Sequence, residues 1–132
     1  MSTYVDTSAI LAVLDADDPN HQPAKEAWSE LVESGEPLVT SNYVVVETAS
    51  VLHKRFGLSS VRLLQSDIVP VLDIEWIDEQ LHDAAMGALL AGSRHGPTLV
   101  DCVGFEVIRK QAIQRVFAYD RHFQNRGFDL VE

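Results

Sequence analysis

Short apolar blocks alternate along the chain with longer stretches in which apolar residues recur every three or four positions. The first kind marks buried strands and the second amphipathic helices. Tyr4-Val5 opens the series as a strand ending at Asp6, and Thr7 and Ser8 stand where helix caps do, ahead of a short helix over Ala9–Leu14. The acid-rich segment Asp15–Asn20, with Pro19 inside it, reads as a loop. His21–Ser34 puts Ala24, Ala27, Trp28, Leu31 and Val32 at helical spacing, and Gly35 ends it. Pro37–Thr40 predicts a strand, Tyr43–Phe56 a helix closed by Gly57, and Ser59 or Ser60 the start of another helix running to Asp67. Val69–Ile74 predicts a strand, Ile77–Ala91 a helix followed by Gly92, and Gly92–Pro97 an irregular link. Thr98–Ile113 predicts a helix, Val116–Tyr119 a strand, then a short turn and a last strand at Phe128–Val131.

Strands that alternate with pairs of helices imply an α/β fold with a mainly parallel sheet covered on both faces, a three-layer α/β/α sandwich. With no repeat, low-complexity run or linker, residues 1–132 read as one domain. In such sheets ligands bind beyond the carboxyl ends of the strands, which makes residues just after each apolar block the ones to examine.

Composition narrows the class. Hydrophobic residues make up 46% of the 132, enough for an ordinary core, and no apolar run approaches the ~18 residues a membrane-spanning helix needs. The N-terminus lacks the basic-then-apolar pattern of a secretory leader. The single Cys102 has no partner for an internal disulfide, and its apolar helical surroundings suit a small core residue better than a nucleophile. These features predict a cytoplasmic protein without membrane attachment. The net charge of -10 runs against direct phosphate binding by Lys and Arg. It fits either a plain acidic surface or a site where carboxylates hold a hard cation and the cation meets the phosphate.

Position along the chain favours the second. Asp6 and Asp120 each follow an apolar strand block, where a helix cap or a turn residue also belongs. Asp101 lies three residues after Thr98, the spacing of a capping box, so local helix capping accounts for it as well. Glu47 sits within Val44-Val45-Val46-Glu47-Thr48-Ala49, and neither i+3 (Ser50) nor i+4 (Val51) supplies the basic partner common for an exposed helical Glu. Each acid has a bland reading by itself. Taken together, all four can converge at one edge of one sheet, where their repulsion calls for a divalent cation, and an all-oxygen set suits Mg²⁺ or Mn²⁺.

The segments Val5-Asp6-Thr7-Ser8-Ala9, Val46-Glu47, Thr98-Leu99-Val100-Asp101-Cys102 and Ala118-Tyr119-Asp120-Arg121-His122-Phe123, in that order, resemble the PIN domain, and in particular the VapC-type toxins of toxin–antitoxin systems. The resemblance runs from Tyr4 to Leu130. It implies a Mg²⁺- or Mn²⁺-dependent endoribonuclease whose acidic residues fall on Asp6, Glu47, Asp101 and Asp120, with Thr7 and Thr98 supporting them. It also implies an RNA substrate, a cognate antitoxin protein, a homodimer, and hydrolysis leaving 5′-phosphate and 3′-hydroxyl ends. A phosphoesterase acting on DNA and a non-catalytic binding module are the competing functions.

Other features add less. Asp15–Glu26 has acids at three positions of a calcium loop but Pro19 and Asn20 where the loop needs a ligand and a glycine. The five histidines are scattered and lack zinc-site spacing. Arg121, His122 and Arg94 are candidates for contact with substrate.

Overall fold

A computed structural model describes residues 1–131. Its centre is a five-stranded, fully parallel sheet of β1 (Thr3–Val5), β2 (Leu38–Ser41), β3 (Asp73–Glu75), β4 (Arg115–Phe117) and β5 (Asp129–Leu130), in the order β3-β2-β1-β4-β5. The helices are α1 (Thr7–Leu14), α2 (His21–Ser34), α3 (Asn42–Phe56), α4 (Leu58–Leu63), α5 (Glu79–Leu90), α6 (Leu99–Lys110) and α7 (Arg121–Gln124).

Strand β1 lies in the middle, with Tyr4 opposite Val39 on one side and Val116 on the other. All three of its residues are fully buried, as a strand covered on both faces must be. From β1 the chain steps to β2 and β3 in one direction, then crosses over to β4 and β5 in the other. Right-handed crossovers put α1–α4 on one face and α5–α7 on the opposite one. The packing agrees: α1 lies against α2 and α3, α3 against α4, and α5 against α6. The strand order reverses between β1 and β4, and that crevice is where a parallel sheet leaves room for a ligand.

Local chemistry sets the element ends. Gly35 ends α2 in the left-handed region, at φ 72°, which costs a residue without Cβ nothing. Ser41 caps α3 by accepting the Val44 N–H. Gly104 sits on the buried face of α6, and a Cβ there would come within 2.9 Å of the Tyr4 hydroxyl and 3.2 Å of the Phe123 ring. Its bare backbone lets α6 approach β1 closely.

Two sequence expectations need correction. The strand at Val69–Ile74 is confined to Asp73–Glu75, because α4 runs on through a π-type turn (Leu64–Ile68) into a 3₁₀ turn at Val69–Val71. Pro70 lacks an N–H and its fixed φ suits the start of a helical turn. The short turn after β4 contains a one-turn helix, α7, capped by Asp120. The domain reading included Glu132, which lies outside the described residues.

Candidate active site

Three of the four expected acids lie at the carboxyl end of the sheet: Asp101 and Asp120 come within ligand distance of one another, and Asp6 lies near enough to feel both charges. Asp6 leaves β1 and caps α1, its Oδ2 accepting the Ser8 N–H (3.1 Å) and the Ser8 hydroxyl (2.7 Å). Asp101 lies in the first turn of α6, where its Oδ2 accepts the Thr98 N–H (3.0 Å) while the Thr98 hydroxyl accepts the Asp101 N–H (3.2 Å). Asp120 follows β4 and caps α7 by accepting the His122 N–H at 2.7 Å. Asp6 and Asp101 thus take the capping roles read for them. Asp6 rather than Thr7 or Ser8 caps α1, and Asp120, read as a turn residue, caps α7. Capping coexists with convergence, since each carboxylate is aimed at the same crevice. The positive ends of α1 and α6 face it too, which favours negative charge there.

Ser8 ties this corner together. Besides donating to Asp6, its hydroxyl oxygen accepts the N–H groups of Tyr119 (2.9 Å) and Asp120 (3.3 Å). One side chain thus fixes the exit of β1 to the exit of β4. Sequence reading gave Ser8 only a capping role. Its position two residues after a strand-ending Asp was the available signal.

The electrostatics are adverse for an empty pocket. Asp6 is 3% exposed and Asp101 5%. Burial, with Asp101 and Asp120 adding to it, pushes the Asp6 carboxyl up to about 7 despite the Ser8 hydrogen bonds. Burial and the nearby Asp120 likewise raise Asp101, against the pull of the Thr98 hydrogen bonds and His122. Among the described residues no Lys or Arg forms an ion pair with any of these acids.

His122 completes the cluster. Its Nδ1 lies 2.9 Å from Asp120 Oδ1 and 3.5 Å from Asp101 Oδ2, yet neither contact is aligned as a hydrogen bond, so this buried nitrogen has no hydrogen-bond partner. Ligand atoms of Asp101, Asp120 and His122 all lie within 4.8 Å of one another. Thr7, expected to support the site, is buried beside Asp6 with its hydroxyl also unpartnered. Hard carboxylate oxygens, an orphaned nitrogen and no protein cation among them fit a divalent ion.

The remaining candidates lie further out. Glu47 is half-buried on α3, outside that group. It lines a groove of about 270 Å³ with Asn42, Tyr43, Val46 and Val100, the residue before Asp101. Arg94 and Arg121 are exposed and form no ion pair among the described residues.

Residues 3–129 match the PIN domain. The 23S rRNA-specific endonuclease VapC20 of Mycobacterium tuberculosis is 33% identical over 127 residues, covering 95% of this chain and 94% of that protein. A VapC ribonuclease of Aquifex aeolicus is 22% identical over 127 residues, 96% of this chain and 93% of the other. A crystal structure of Mycobacterium tuberculosis VapC20, described as a sarcin-ricin loop cleaving toxin, superposes with a TM-score of 0.85. It shares 28% identity and covers 98% of this chain and 99% of its own.

Proposed function

We propose that this chain, which belongs to the PIN-domain family, is a divalent-metal-dependent endoribonuclease and the toxin of a toxin–antitoxin pair. The observation that carries the reading is the gathering of Asp6, Asp101 and Asp120, from three separate elements, at the reversal of strand order, with no Lys or Arg among the described residues paired to them. A structural scaffold gains nothing from such a group, because buried unpaired charge is costly.

In this reading Asp6, Asp101 and Asp120 hold Mg²⁺ or Mn²⁺. The cation supplies the positive charge that meets the phosphodiester and lowers the pKa of water at the site. Ser8 and Thr98 keep Asp6 and Asp101 in place through the hydrogen bonds described. Glu47, on α3 in the groove it shares with Val100, is taken as the outermost acid of the set. Exposed Arg121 and Arg94 offer contacts for RNA phosphates beyond the pocket.

VapC20 is named for cleavage of 23S rRNA, and its crystal structure for cleavage of the sarcin-ricin loop. At 33% identity over nearly the whole chain, a structured rRNA loop is the first substrate to offer this protein. The -10 charge suits an antitoxin that places basic side chains at the pocket. A homodimer and a cytoplasmic setting are part of this reading, carried over from the sequence resemblance; among the described residues no helix is long and apolar enough to cross a membrane. The test is cleavage of an rRNA hairpin, and of its DNA counterpart, across a Mg²⁺ and Mn²⁺ titration with and without EDTA. Metal-dependent cuts in RNA alone are expected. Cleavage that survives EDTA, or that falls on DNA instead, overturns the proposal.

A further inference from the structure

Among the described residues the His122 side chain has one hydrogen-bonding contact, at its outer ring nitrogen. Its Nε2 lies 3.1 Å from the His95 backbone carbonyl. A carbonyl only accepts, so Nε2 carries the hydrogen and donates it. In the neutral ring this leaves Nδ1 as a lone pair, and Nδ1 is the atom set against Asp120 Oδ1 and Asp101 Oδ2. That atom is closed to solvent and has no aligned hydrogen bond. A lone pair facing two carboxylates is repulsive unless a positive charge answers them, either a proton on the ring or a cation held between them; the lack of an aligned hydrogen bond from Nδ1 to either acid favours the cation. A ring nitrogen in the pocket, with the other nitrogen donating to a backbone carbonyl, is the arrangement in which histidine binds metals. The spacing agrees: a metal held at about 2.0–2.3 Å by several atoms keeps those atoms about 3–4.5 Å apart, and those of Asp101, Asp120 and His122 fall within 4.8 Å of one another.

We infer that His122 Nδ1 is a direct ligand of the cation held by Asp101 and Asp120, and that this nitrogen makes the site prefer Mn²⁺ to Mg²⁺. The inference rests on the metal-centred reading above and adds a donor which that reading does not require. Imidazole suits the borderline transition metals, whereas Mg²⁺ prefers oxygen and keeps its waters. His122 thereby leaves the class of substrate contacts and joins the groups that position the ion.

The test loads the wild-type protein with Mn²⁺ and records pulsed electron paramagnetic resonance. Nitrogen modulation from a directly bound imidazole is expected, and it should vanish in His122→Gln. Calorimetry of the same proteins should show Mn²⁺ affinity falling by about tenfold or more in the variant, with Mg²⁺ affinity changed much less. His122→Asn serves as a second variant, and the wild-type spectrum needs neither variant to fold. Bound Mn²⁺ without nitrogen modulation overturns the nitrogen ligand and leaves the nuclease reading standing. Failure of the wild type to bind any divalent ion overturns both.

Discussion

The two ends of the central sheet treat carboxylates in opposite ways. At the amino end, Glu36 accepts from the Thr3 hydroxyl (3.1 Å) and pairs with Arg115 (3.2 Å), the first residues of β1 and β4. A protein cation and a hydroxyl answer its charge. At the carboxyl end of the same two strands, Asp6 and Asp120 face one another and Asp101, and what holds them is backbone N–H groups and Ser8. The same pair of strands carries a finished ion pair at one end and an unfinished one at the other. An acid that a fold needs for stability brings its own partner. An acid cluster kept without one leaves room for a charge from outside.

The sharpest way to break the contrast is to remove one acid from each end. Asp101→Asn should lower metal-dependent RNA cleavage by on the order of a thousandfold, since losing even an outer partner of a metal ligand costs about 10–100-fold. Glu36→Gln should leave cleavage within about twofold, because its partners lie away from the chemistry. Glu47→Gln should fall between these, as a group at the pocket's edge. Initial rates on a labelled RNA hairpin decide all three, and equal rates for Asp101→Asn and wild type would sink the assignment.

Next in size is the response to pH without metal. The unfolded Asp6 ionises at the ordinary carboxylate value of 3.8, whereas the folded one keeps its proton to about 7. The folded state therefore binds more protons between those values, and stability falls as pH rises from 3.8 to about 7, then levels off. Thermal melts of EDTA-treated protein should show this slope. Asp6→Asn should flatten it and raise the midpoint at neutral pH by several degrees, since Asn caps a helix as well as Asp does. A divalent cation at about a hundred times its Kd should add about 2.7 kcal/mol to the wild type at pH 7.5. An Asp6→Asn protein that melts lower than wild type in EDTA would contradict the repulsion argument.

Smaller effects test the frame between the ends. Gly104→Ala drives a methyl group into the Tyr4 hydroxyl and the Phe123 ring, and should cost about 1–3 kcal/mol in denaturant melts. Arg115→Ala, which breaks the finished pair at the amino end, should cost about 1 kcal/mol or less because the pair is partly open to solvent. It should leave the pH slope of the metal-free protein unchanged.

Much of this was legible in the sequence because apolar blocks and the acids behind them follow backbone periodicity. Asp6 and Asp120 sit at strand ends and Asp101 in a first helical turn, where local chemistry alone would put them. Convergence also followed, since parallel strands all end on one side. What was not legible depends on side-chain direction across distant segments. Glu47 lies on the expected helix, but half a turn of rotation decides whether its carboxylate enters the crevice, and no local rule fixes that angle. His122 read as a candidate substrate contact, and only the fold shows its ring nitrogen set against two acids, with the other nitrogen at the His95 carbonyl. Ser8 joins residues more than a hundred positions away. The run Val69–Ile74 misled because apolar strand and apolar helical turn share a composition, and Pro70 tipped the balance.

Each of the three clustered acids is gripped by the start of the helix that it caps, through amides that form as soon as that helix does. Folding alone therefore sets the gauge of the opening before any ion arrives. A gauge set this way sorts ions by radius: one that does not match it would have to move helix ends, while one that matches settles without moving them.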